Sequence, residues 1–69
     1  MSQDIRKIIA NNIEKFRTKK SLTREELSIM LGFDNSYISK LERGTINITI
    51  DKLTKIADAL DAKVKDLLS

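Results

Sequence analysis

At 69 residues the chain has room for one domain, residues 1–69, near the lower size limit of folding without a staple. It contains no cysteine and no histidine, which excludes disulfides, thiolate metal sites and His- or Cys-based catalysis. Net charge is only +3, yet residues 1–24 carry +5, residues 25–44 carry −2 and residues 45–69 balance, an asymmetry that suits a polyanionic partner or a solvated helix face.

Apolar residues make up 41% of the chain, with ten Ile, eight Leu, no proline and two glycines, which predicts helices joined by tight turns. No apolar run exceeds three residues, so neither a transmembrane span nor a signal-peptide core is expected; the expectation is a cytoplasmic protein with no membrane partner. Ile5, Ile8, Ile9, Ile13 and Phe16 recur at helical spacing and predict a first helix from Asp4, or from a Ser2 cap, to Lys19. Thr23-Arg24-Glu25-Glu26 has the pattern of a capping box opening a second helix, with Leu27 and Leu31 on its buried face and Gly32 at its end. Asp34 is the predicted N-cap of a third helix with Tyr37, Ile38 and Leu41 as its apolar stripe, ended by Gly44. Thr49 caps a fourth helix through Leu53, Ile56, Ala57 and Leu60, and Val64 to Leu68 supply a short fifth.

The specific segment is residues 22–44. Two short helices joined at a glycine, about residues 23–42, match a helix-turn-helix, whose second helix enters the DNA major groove. Ser28 falls where the two helices approach closely, which calls for a small side chain. Asn35, Ser36, Ser39 and Lys40 are left on the outer face of the third helix.

Leu22-Thr23-x-x-Glu26-Leu27, Leu31-Gly32, Tyr37-Ile38-Ser39-Lys40-Leu41-Glu42-Arg43-Gly44 and Leu53-x-x-Ile56-Ala57-x-Ala59-Leu60 together resemble the helix-turn-helix family of phage repressors and Cro proteins. Arg43-Gly44-x-x-Asn47-Ile48-Thr49-Ile50 is also similar to the controller proteins of restriction–modification systems. The resemblance implies an all-α, compact five-helix, lambda-repressor-like domain that binds double-stranded DNA as a homodimer, needs no cofactor or small-molecule ligand, and regulates transcription, as a repressor at a pseudo-palindromic operator. The departures are Arg24 where the family often has Gln, Ile48 where proline is common, Asp61 where glycine is usual, and Ile29 and Met30 where polar residues are common.

By that resemblance Asn35, Ser36, Ser39 and Lys40 are the expected base readers; Asn suits adenine and Lys suits guanine acceptors. Thr23, Arg24, Tyr37, Arg43, Thr45 and Asn47 are the expected phosphate contacts, with ring packing the alternative for Tyr37 and a surface ion pair to Glu26 or Glu42 the alternative for Arg43. Arg17, Lys19 and Lys20 are expected to add general attraction. Ile46, Ile48, Asp61, Lys63 and Leu68 are the dimer candidates, while Val64 and Leu67 are expected to close the core. An alternative function is a protein-interaction module of the same fold, such as an antitoxin or adaptor, using Ile29 and Met30. Catalysis has no support, because no carboxylate pair is spaced for it.

Overall fold

The computed structural model describes residues 4–69. Five helices follow one another: α1 (Ile5–Lys19), α2 (Arg24–Met30), α3 (Tyr37–Glu42), α4 (Ile50–Ala59) and α5 (Val64–Leu68). No strand occurs among the described residues, and no helix there is long and apolar enough to cross a membrane. The helices α1, α2 and α4 each open on a residue whose side chain satisfies a free amide. Asp4 accepts from the Arg6 amide at 3.0 Å, while the alternative cap, Ser2, lies outside the described residues. The predicted capping box is formed in full: Thr23 Oγ1 accepts from the Glu26 amide at 3.0 Å, and Glu26 Oε1 accepts from the Thr23 amide at 2.8 Å. Thr49 caps α4 through its hydroxyl alone, which accepts from the Lys52 amide at 3.2 Å.

The ends of α1 to α4 repeat one closure. In each, the third amide beyond the helix reaches back over the residue in left-handed conformation: Leu22 to Arg17, Phe33 to Ser28, Thr45 to Lys40 and Ala62 to Ala57, at 2.9–3.2 Å. Gly32 and Gly44 take the positive φ at two of these ends, whereas Ser21 (φ 59°) and Asp61 (φ 56°) take it at the other two. Asp61 thus adopts the conformation of the glycine it replaces in the family pattern, and Ser21 is a fourth such position that the sequence did not announce.

All five helices contribute to one core, through Ile9 and Ile13, Leu27, Ile38 and Leu41, Leu53 with Ile56 and Leu60, and Leu67. A fully buried aliphatic side chain of this size contributes about 1.5–3 kcal/mol, so these positions carry the fold. α1 lies against α3 and α5, α2 packs on α3, and α4 on α5. Asn12 Nδ2 pins the free end of α5 by donating to the Leu67 carbonyl at 2.9 Å.

The start of α3 differs from expectation. Its N-cap is Ser36, not Asp34, and the helix begins at Tyr37. Asp34 instead fixes the turn before it, accepting from the Ser36 amide at 3.1 Å and from the Ser36 hydroxyl, while the Tyr37 amide bonds to the Asp34 carbonyl at 2.9 Å. That tight turn leaves Asn35 and Ser36 ahead of the regular helix. The Ser36 bonds hold the Asp34 carboxyl below its ordinary range.

A serine in left-handed backbone carries a steric cost of about 1–2 kcal/mol that glycine avoids. Ser21→Gly is therefore expected to raise stability by about 0.5–1 kcal/mol after the entropy of glycine is subtracted, read from urea unfolding. A drop in stability would contradict the assignment of strain at Ser21.

Candidate nucleic-acid interface

Ser28 sets the angle between α2 and α3. It is fully buried, and its Oγ donates to the Arg24 carbonyl at 2.9 Å while accepting from the Ile38 amide at 3.0 Å. Its own carbonyl takes the Phe33 amide at 3.0 Å. The side chain is thus more than a small spacer; it satisfies an amide of the next helix across the turn.

With α3 seated on Leu27 by Ile38 and Leu41, Ser39 and Lys40 are left on its outer side, while Asn35 and Ser36 stand in the turn before it and not on the helix as expected. Asn35 and Lys40 are exposed, and Ser36 and Ser39 are half-buried. Asn35 Nδ2 lies 3.5 Å from Glu25 Oε2, at the limit of hydrogen bonding, so its amide is close to free. The Ser36 hydroxyl is already donating to Asp34, which leaves it an acceptor while that bond holds. Lys40 makes no ion pair among the described residues.

The expected phosphate contacts divide into three kinds. Thr23 and Thr45 are occupied in the fold, Thr23 as the α2 cap and Thr45 Oγ1 donating to the Lys40 carbonyl at 2.9 Å. Asn47 Oδ1 accepts from Arg6 Nη1 at 3.3 Å, which brings the first turn of α1 beside the loop between α3 and α4. Arg24 and Arg43 line one open depression of about 260 Å3 together with Ser39 and Glu42. Two expected phosphate residues and one expected base reader therefore share a wall.

Beneath that depression runs a charge network. Glu42, whose side chain is 5% exposed, accepts from Arg17 Nε at 2.8 Å and Nη2 at 3.3 Å, and from Arg24 Nε at 2.9 Å. Arg17 Nη1 donates to the Leu22 carbonyl at 2.7 Å. Arg17 is consequently a buried structural residue and not, as expected, a source of general surface attraction. Its three guanidinium nitrogens are all engaged inside the protein. Glu42, expected as a competitor for Arg43, holds Arg17 and Arg24 instead, and Arg43 has no ion-pair partner among the described residues. Lys20 is also committed, at 2.5 Å to Asp61.

Of its two expected roles, Tyr37 takes ring packing in this structure. Its hydroxyl is buried without a hydrogen-bond partner, so in this structure it offers nothing to a phosphate. The ring packs edge-on to Phe33 with centroids 4.8 Å apart, and Lys52 Nζ stands 5.0 Å above it. Burial pushes the phenol pKa up.

The dimer candidates are dispersed. Ile46 and Ile48 turn in part into the core, which removes much of their area from any partner. Asp61 is exposed but paired to Lys20, and the Lys63 amide donates to Asp66 at 3.0 Å as the opening of α5. Leu68 remains 41% exposed. Ile50, which follows the Thr49 cap and was not singled out, is 71% exposed. Ile29 and Met30 on α2 are both exposed, at 61% and 58%.

Two substitutions check this geometry. Glu42→Gln strips the countercharge from buried Arg17 and is expected to cost about 3–5 kcal/mol in urea unfolding; a loss below about 1 kcal/mol would mean that the network is not buried in solution. Tyr37→Phe removes an unpaired buried hydroxyl and is expected to leave stability unchanged or raise it by up to about 1 kcal/mol. A clear loss would show that the hydroxyl has a partner.

The helix-turn-helix family model matches residues 13–67. An uncharacterised helix-turn-helix transcriptional regulator of Sinorhizobium fredii is 38% identical over 66 residues, covering 96% of this chain and 86% of that protein. Control protein C.BamHI of Bacillus amyloliquefaciens is 36% identical over 69 residues, covering 99% and 85%. The crystal structure of a hypothetical transcription factor from Neisseria superposes with a TM-score of 0.94 at 37% identity, over 97% of this chain and 77% of that one. With α2 and α3 locked through Ser28 inside the matched segment, the chain belongs to the helix-turn-helix family of DNA-binding transcriptional regulators.

Proposed function

We propose that the chain is a homodimeric, sequence-specific repressor that reads a pseudo-palindromic operator through α3. The observation that carries this reading is the outward face formed by α3 and the turn before it, where Lys40 and Asn35 stand exposed beside the depression walled by Arg24, Ser39 and Arg43. An asparagine amide pairs with both Hoogsteen-edge groups of adenine, and a lysine donates to the guanine acceptors. Arginines at the start of α2 and the end of α3 fix the register of those contacts on the backbone.

Two-fold symmetry doubles a half-site that one small domain cannot make selective alone, and places the halves about 34 Å apart. Leu68 supplies apolar area for the dimer, with Ile50 as a second exposed apolar side chain; Asp61, Lys63 and the outer edges of Ile46 and Ile48 would form its rim. The similarity to C.BamHI, named as a control protein, supports a regulator of that kind. Its place of work is the cytoplasm, with the DNA, and the domain of residues 1–69 acts without cofactor, ligand or catalytic step. A second reading has one observation in its favour: Ile29 and Met30 leave apolar area open on α2, as a protein-interaction module would.

The test is binding selection from a random duplex pool at near-physiological salt. The proposed reading predicts an enriched pseudo-palindrome with half-sites about one helical turn apart. On that duplex Asn35→Ala is expected to relax preference at particular base pairs, at a cost of about 1–3 kcal/mol, whereas Arg43→Ala weakens all sequences alike. Folded protein that enriches nothing would favour the interaction module, and a uniform loss in Asn35→Ala would remove that residue from base readout.

A further inference from the structure

We propose that Arg24 and Arg43 close on a single phosphate, with Ser39 between them and Glu42 as the positioning residue that aims Arg24. The inference rests on the DNA-binding reading for its ligand, a backbone phosphodiester, but its geometry stands on the protein alone. Glu42 meets two arginines differently. Arg17 spends Nε, Nη1 and Nη2 on Glu42 and the Leu22 carbonyl and is buried, which keeps it from a ligand. Arg24 is held through Nε alone, at 2.9 Å, and its side chain is 52% exposed. The end-on fork of Nη1 and Nη2 has no partner among the described residues.

Such a fork, fixed in plane by one bond behind it, is pre-organised for the two free oxygens of a phosphate. Arg43 has no ion pair among the described residues and lines the same depression of about 260 Å3. The Ser39 hydroxyl makes no side-chain bond within the described protein and also lines it, which places Ser39 on the phosphate side of the interface.

Charge favours an anion there. Glu42 is balanced by Arg17 beneath it, so the second and third guanidinium groups leave these four residues at two positive charges, with the Glu14 carboxylate also acting on Arg24. The carboxylate is nearly buried and held by Arg17, so it gives Arg24 a fixed anchor. The arrangement therefore orients a donor pair at a reduced entropy cost of ordering a long side chain on binding.

The first experiment uses inorganic phosphate as the probe and needs no operator. In NMR spectra of the arginine Nε–H groups of the whole chain, phosphate is titrated against chloride at constant ionic strength. The Arg24 and Arg43 signals are expected to shift with one common midpoint while Arg17 stays still. In Arg24→Lys, which keeps the charge but loses the fork, the Arg43 shift is expected to be lost. Unmoved signals, separate midpoints or a lysine variant that binds as the parent does would each overturn the shared pocket.

Glu42→Gln, where it folds, is expected to move the Arg24 Nε–H signal and weaken its phosphate response with Arg43 unpaired as before. An unchanged Arg24 response would remove Glu42 as a positioning residue. The second experiment is the salt dependence of binding to a selected duplex. For a dimer on two half-sites, one shared phosphate in each half predicts that Arg24→Gln with Arg43→Gln lowers the slope by about 1.8, whereas two separate phosphates in each half predict about 3.6. A chain that binds phosphate as expected but no duplex would overturn the DNA reading and keep the pocket; a duplex slope falling by the larger amount would keep the reading and overturn the pocket.

Discussion

The carboxylate of Glu42 sits where three helices meet, and the orientation of the outward face depends on it. It ties Arg17 of α1 and Arg24 of α2 to the last turn of α3, while Arg17 also fastens the Leu22 carbonyl in the connection between α1 and α2. A buried ion pair contributes little net stability beside an apolar replacement, because desolvation offsets most of its attraction. What it supplies is direction. Apolar packing of Ile38 and Leu41 would tolerate small rotations of α3, but a carboxylate holding two guanidinium groups at 2.8–2.9 Å tolerates few.

Ser28 adds the second constraint. The α2 and α3 axes are joined through its hydroxyl, from the Arg24 carbonyl to the Ile38 amide, and through the Phe33 amide on its carbonyl. The turn at Gly32 closes over the same residue. Lys40 is held by its amide on the Ser36 carbonyl, and Asn35 by the turn that Asp34 closes around it, so their backbone is fixed although the side chains themselves are free. Rigid backbone with free polar tips is what base readout requires, since loosely held donors lose selectivity to side-chain and backbone disorder.

Much of this was legible in the sequence, because the signals were local. The capping box at Thr23, the glycine ends at Gly32 and Gly44, the Thr49 cap and the stripe of Leu53, Ile56 and Leu60 each follow from residue type and spacing alone, and the structure has all of them. What was missed depended on partners distant in the chain. Arg17 stands four residues beyond Ile13 and eight beyond Ile9, on the buried line of α1, and Glu42 stands four beyond Ile38 on α3. Two opposite charges, each prolonging an apolar stripe, were a readable sign of a buried pair; charge type drew the reading to the surface instead. Asp34 reads as a cap two residues too early because nothing local distinguishes a helix from the tight turn that precedes it. Ser21 in left-handed conformation carries no signal, since only the closure of α1 onto Arg17 imposes it. The candidate site was legible as a face of α3, but the pairing of Arg24 with Arg43 around Ser39 was not, because it needs the crossing of α2 and α3.

The central claim is that the α3 face and the rim of Arg24 and Arg43 meet the DNA while the α2 face of Ile29 and Met30 does not. A titration of 15N-labelled chain with the selected duplex, followed by amide NMR, tests it residue by residue. The account predicts that the largest shifts fall on residues 35–40, with a second group at 23–24 and 43–47, and that Ile29 and Met30 stay in place. Shifts centred on Ile29 and Met30, with residues 35–40 unmoved, would contradict it.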